Sequence, residues 1–132
     1  MKHSVPAQTE NDLIDFYRNA IRTRSYSNQE GDIAVLILKE MEKLGYDECY
    51  IDRVGSGKKI IHFDSHMDTV NAGDPALWDH PPFSADYADE YIYGRGSVDM
   101  KGGLSASVYA AAEAKKQGLL DGKTVYVTTT VC

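Results

Sequence analysis

Between Tyr91 and Val131 the chain alternates in a way that leaves few folds open. Tyr91–Tyr93 is a short aromatic run ending in Gly94-Arg95-Gly96. Lys101 to Gln117 reads as an Ala-rich helix, closed by Gly118 where a helix C-terminus favours glycine. TVYVTTTV, Thr124–Val131, is dense in β-branched residues and reads as a strand. Strand, helix, strand in one sheet implies at least one parallel crossover.

The rest of the chain is read around that unit. From Thr9, TENDLIDFYRNAIRT places Leu13, Phe16, Tyr17, Ala20 and Ile21 at helical spacing, with Thr9 and Asp12 resembling a weak capping box. Ser27 and Glu30 match S-x-x-E ahead of a stripe of Ile33, Leu36, Ile37, Met41 and Leu44, and Gly45 ends that helix. Two strands, Glu48–Val54 and Lys58–Asp64, joined by Gly55-Ser56-Gly57, read as a hairpin. Residues 71–89 hold three of the four prolines and no clear period, which predicts a long loop. The order is ααββ, loop, βαβ. It defines an α/β fold, a central mixed sheet flanked by helices, with residues 1–8 as a loose tail and 9–132 as one domain.

Composition narrows the function classes. Net charge is −6 and no Lys/Arg cluster exceeds two residues, which argues against nucleic acid and anionic membrane surfaces. No apolar run approaches the ~20 residues needed to span a bilayer, and MKHSVPAQTENDL lacks the apolar segment of a secretory signal. Cys49 and Cys132 are far apart and suit a reducing compartment, so a cytoplasmic protein is expected.

Two segments could carry chemistry. IIHFDSHMDTV, Ile60 to Val70, begins as an apolar strand and then places two His and two Asp within seven residues. In a regular strand His62, Asp64, His66 and Asp68 share one face, and Ile61, Phe63 and Met67 share the other. His62 lies mid-strand, where a hydrogen-bonded structural histidine is expected. His66-Met67-Asp68 lies at the strand's C-terminal end, the edge where α/β sheets gather their sites. An imidazole there can bind a metal through one nitrogen while a carboxylate fixes the other. Asp64 reads equally as a strand-end cap and as such a carboxylate. The second segment is GRGSVDMKGG, Gly94 to Gly103, which turns from strand to helix and sets Asp99 just before the helix. A lone Asp there is usually an N-cap. Asp99 also follows a strand end and could face His66, while the glycines permit close backbone approach. Lys101 reads as solvated, and Gly102-Gly103 as close packing.

Together SHMDTV (65–70) and YGRGSVDMKGG (93–103) resemble the M20 metallopeptidase family of di-zinc amidohydrolases. Its members include aminoacylases, acetylornithine deacetylase, succinyl-diaminopimelate desuccinylase, dipeptidases and carboxypeptidases. Trp78 and Pro82-Phe83 also match the way members fill the intervening loop. The resemblance implies the N-terminal part of a zinc-exopeptidase catalytic domain, with a small peptide or N-acyl amino acid as substrate. His66 would bind one metal and Asp99 would bridge two, with a cis Asp99–Met100 peptide. Asp68 would act in catalysis by hydrogen-bonding His66. The metal would be Zn²⁺, two ions in the complete site, with Co²⁺ or Mn²⁺ as substitutes. The family's Glu-Glu pair, its later ligands and its dimerisation domain have no counterpart up to Cys132, so this chain alone is expected to be inactive. An apolar edge or face left by the last strand implies aggregation or a homo-oligomer. Two other readings stand beside this one. The first is a truncated, non-catalytic α/β module. The second is a dinuclear metallophosphatase using Asp64-Ser65-His66, disfavoured because Gly73-Asp74 is followed by Pro75-Ala76-Leu77 and not by the required second Asp.

Overall fold

The computed structural model describes residues 5–27, 29–49, 60–121 and 123–131. Helix α1 (Ala7–Arg22) starts two residues before Thr9, because Pro6 stands at its N-cap in an extended conformation and its carbonyl accepts from Glu10 N–H at 3.1 Å. Thr9 therefore lies inside the helix and caps nothing. Helix α2 (Gly31–Lys43) has its N-cap at Glu30, three residues after Ser27, without a side-chain cap hydrogen bond. The S-x-x-E signature misplaced this start, and Ser27 is used elsewhere. The predicted stop is correct: Gly45 follows the Leu44 C-cap with φ +78°, a left-handed conformation that glycine adopts without a Cβ penalty.

Strand β1 (Ile60–His66) follows; the strand expected over Glu48–Val54 and its hairpin turn lie mostly outside the described residues. Residues 71–89 contain more order than a loop. Asp74 caps a 3₁₀ turn, Pro75–Leu77, by accepting from Ala76 N–H at 2.9 Å. Strands β2 (Asp86–Ala88) and β3 (Tyr91–Tyr93) pair antiparallel through a two-residue turn, Asp89-Glu90, with both φ values positive. That is the hairpin turn which matches strand twist, built without the Asn-Gly or Asp-Gly that usually signals it. Helix α3 (Gly102–Lys116) ends as predicted at Gly118, φ +68°, and strand β4 (Thr124–Thr130) closes the described fold.

The parallel crossover exists, but its partners differ from those expected. β4 pairs with β1, from Ile60↔Thr124 to His66↔Thr130, and α3 is the helix of that crossover. β3 belongs to the separate β2–β3 ribbon. The class is α/β, with helices packed on a parallel pair. Phe16, Ala20, Ile33, Ile37, Leu104, Val108 and Tyr109 form the core between the three helices, and Met67, just past β1, joins it. At the other end of β1 the apolar side chains are uncovered: Ile60, Ile61 and Phe63 are 43%, 42% and 40% exposed. Among the described residues no helix is long and apolar enough to cross a membrane.

Candidate functional site

The C-terminal end of β1 and the turn from Gly94 to Lys101 meet beside the N-terminus of α3. Strand alternation sends Ser65 and Met67 inward, and the Met67 N–H extends the pairing to Thr130 O at 2.9 Å. His66, between them, faces the opposite way, toward the turn. Its Nε2 lies 2.9 Å from Asp99 Oδ1, so the structure brings the two sequence-predicted residues together across 33 positions. Its Nδ1 lies 3.1 Å from the Asp68 carbonyl and 3.5 Å from Asp68 Oδ1. The nearer partner is thus the backbone of Asp68, and a hydrogen on Nδ1 would donate to that carbonyl. The Asp68 carboxylate is buried, and its Oδ2 accepts from Ser27 Oγ at 3.0 Å. The hydrogen bond to Asp99 holds the His66 imidazolium above its ordinary pKa against the opposing effect of desolvation.

His62 is bonded as expected but lies on the open part of the strand. Thr128 Oγ1, 2.7 Å from His62 Nε2, gives its single proton to Asp64 Oδ1 at 2.8 Å. The hydroxyl therefore accepts from His62, and Asp64 is tied to β4 away from the His66–Asp99 pair.

The turn is shaped by close approach. Gly96 has φ +79°, and a Cβ there would lie 2.6 Å from Thr69 Cγ2. At Gly94 a Cβ would lie 2.5 Å from Ile21 Cγ2. Asp99 is extended, not helical, and its side chain is 85% exposed, so it caps no helix. The Asp99–Met100 peptide is cis. Lys101 departs from expectation. It is fully buried, its Nζ donates to the Ala20 and Thr23 carbonyls at 2.7 and 2.8 Å, and burial pushes its pKa down to about 8. Tyr17 Oη donates to Ser97 O at 2.9 Å and ties the same turn to α1. Ser27, Lys101 and Tyr17 were missed as site residues: Ser27 carried a capping pattern, and neither of the others stands in a local pattern that reports its partner.

These segments line a cavity of about 440 Å³, walled by residues 94–99 with His66, Asp68, Thr69 and Val70. A smaller hollow of about 270 Å³, lined by Trp78, His80 and Tyr93, adjoins it at Gly94. Imidazole nitrogen and carboxylate oxygen are donors that zinc accepts, and here one of each converges from separate segments. No group of three or more His, Cys, Asp or Glu able to hold a metal occurs among the described residues. The donor set fits a metal in kind, with fewer ligands than a complete zinc site has.

The fold, a helix-flanked parallel pair, is shared with solved structures. It superposes on an M20 family metallo-carboxypeptidase from Sulfolobus solfataricus with TM-score 0.72, covering 96% of this chain and 31% of that one at 21% identity. It matches the di-peptidase Dug1p from Saccharomyces cerevisiae with TM-score 0.66, covering 92% and 32% at 20% identity. The sequence specifies the family. Residues 62–132, more than half of the chain and including His66 and Asp99, match the model of peptidase family M20/M25/M40, and the chain belongs to that family. It is 37% identical over 127 residues to the uncharacterized protein YgeY of Escherichia coli K12, covering 91% of this chain and 32% of that protein. It is 40% identical over 99 residues to a probable succinyl-diaminopimelate desuccinylase of Staphylococcus aureus, covering 75% and 24%. The chain thus spans about a third or less of the curated relatives it matches.

Proposed function

We propose that this chain carries one wall of a two-zinc hydrolase site that cleaves a peptide or N-acyl amide bond of a small substrate. The observation that supports this best is the 2.9 Å approach of His66 Nε2 to Asp99 Oδ1 at the cavity, within the span matched by the family model. The desuccinylase relatives support amide chemistry of this class. His66 and Asp99 would hold the metal. When bound, zinc supplies Lewis acidity toward an amide carbonyl and lowers the pKa of water. Asp68 acts through His66: its carbonyl faces Nδ1 and orients the ring so that Nε2 points into the cavity. Asp99, extended and exposed, presents its carboxylate to the same space.

Zn²⁺ titration followed by calorimetry tests the reading. The wild-type chain is expected to bind Zn²⁺ weakly. Asp99→Asn is expected to lose more than the roughly 10–100-fold in affinity that changes to positioning partners cost. Equal affinity in the two proteins would remove Asp99 from the metal site. With two donors in place, the 132-residue chain alone is expected to show no zinc-dependent cleavage of an N-acetyl amino acid. Turnover by it would overturn the need for further ligands.

A further inference from the structure

Lys101 is a buried ammonium for which no carboxylate partner occurs among the described residues. Among the described residues its Nζ finds the Ala20 and Thr23 carbonyls, at 2.7 and 2.8 Å. These lie at the C-terminal end of α1, where carbonyls lack intrahelical donors and the helix dipole favours a cation. The contact therefore joins an otherwise costly buried charge to an otherwise unsatisfied helix end. Tyr17 adds a second tie between α1 and the turn, at Ser97 O.

The residues that follow α1 have a second set of contacts. Thr69 N–H donates to Ser25 O at 2.8 Å, and Tyr26 forms an isolated parallel bridge with Thr69. Ser27 Oγ reaches Asp68 Oδ2 at 3.0 Å. A run of five residues, Thr23 to Ser27, thus grips both arms of the site. It holds Lys101, two positions after Asp99, and Asp68, two positions after His66. We propose that Lys101 and Ser27 are positioning residues, and that the Thr23–Ser27 connection is the gauge that sets the separation of His66 and Asp99. The proposal rests on the metal reading only for what that separation serves.

Hydrogen exchange of the folded chain, resolved by peptide, tests it. Lys101→Met keeps the length of the stem and removes the ammonium. Exchange is expected to rise about tenfold or more over residues 94–101 and 23–27, while α2 and the end of α3 keep their wild-type rates. Ser27→Ala is expected to raise exchange over 66–70 and to leave 94–101 unchanged. A rise spread evenly over all three helices, or none over 94–101, overturns the role of Lys101. Should Lys101→Met lack helical circular dichroism, Ser27→Ala decides: unchanged exchange over 66–70 overturns the gauge. Titration with Zn²⁺ alone is expected to show about tenfold weaker binding in each folded variant, and wild-type affinity in both would also overturn it. A wild-type chain that binds no Zn²⁺ while the exchange pattern appears as stated would refute the metal reading and leave the gauge standing.

Discussion

Gly96→Ala isolates how far the fold depends on close approach at the site turn. Two costs combine there. Gly96 has φ +79°, where a side chain costs about 1–2 kcal/mol through the contact of Cβ with its own backbone. The added Cβ would also lie 2.6 Å from Thr69 Cγ2, and Thr69 cannot retreat easily: it is 4% exposed and its N–H is held by Ser25 O at 2.8 Å. Overpacking of that kind costs about 1–3 kcal/mol. Gly118→Ala supplies the control, because φ is +68° with nothing within 4 Å of the new Cβ. Gly31→Ala supplies the second, with open space and no left-handed backbone at the first residue of α2. At about 4 °C per kcal/mol for a chain of this length, Gly118→Ala is expected to lower Tm by about 4–8 °C. Gly96→Ala is expected to lower it by about 8–20 °C, and Gly31→Ala to leave it equal or raise it by up to about 4 °C. Thermal unfolding followed at a helical wavelength measures all three. If Gly96→Ala melts within a degree or two of Gly118→Ala, the turn yields without cost and the close approach is no constraint.

Two further outcomes follow from the packing. Tyr46 Oη donates to Val108 O at 2.7 Å, a carbonyl inside α3 that keeps its helical partner, so Tyr46→Phe should cost only about 0.5–1.5 kcal/mol in urea unfolding at constant m value. Loss of several kcal/mol would mean that the phenol serves more than this bond. Ile61 and Phe63 leave an apolar strip on one face of β1, and we expect concentration-dependent self-association of the chain in sedimentation velocity, relieved by Phe63→Lys. A monomer at all concentrations would show that the strip is tolerated in water.

Local signals were read well where the physics is local. Gly45 and Gly118 end their helices because a left-handed residue completes each one, and both were visible as glycines after an apolar stripe. The β-branched run at Thr124–Thr130 became a strand for the same kind of reason. Errors arose where a local pattern had a non-local competitor. Ser27 satisfies S-x-x-E, yet its hydroxyl donates to Asp68, 41 residues away, and α2 begins without it. The parallel crossover was inferred from the nearest preceding strand, Tyr91–Tyr93. That strand is three residues long and is satisfied by its hairpin neighbour, and the seven-residue β1 takes the place beside β4.

The site shows the same division at finer scale. His66 was legible because it ends β1, and strand ends in a parallel sheet are brought to one edge. Asp99 lies in the turn six residues after β3, outside that sheet, and meets His66 through the approach of this turn. What holds them was not legible. A lysine next to two glycines reads as solvated because most lysines are, and burying one without a carboxylate is costly unless its three donors find oxygen. Here the oxygen comes from a helix end formed some 80 residues earlier, so no window around Lys101 contains its reason for being buried. Of the two residues that would touch a metal, His66 sits at a position fixed by strand geometry and Asp99 in the turn that leads into α3. The residues that set their spacing depend on where a distant helix stops. Changing the end of α1, between Ala20 and Ser27, should therefore disturb the site more than an equal change in the Pro75–Leu77 turn, which lies nearer to His66 in sequence and makes none of these contacts.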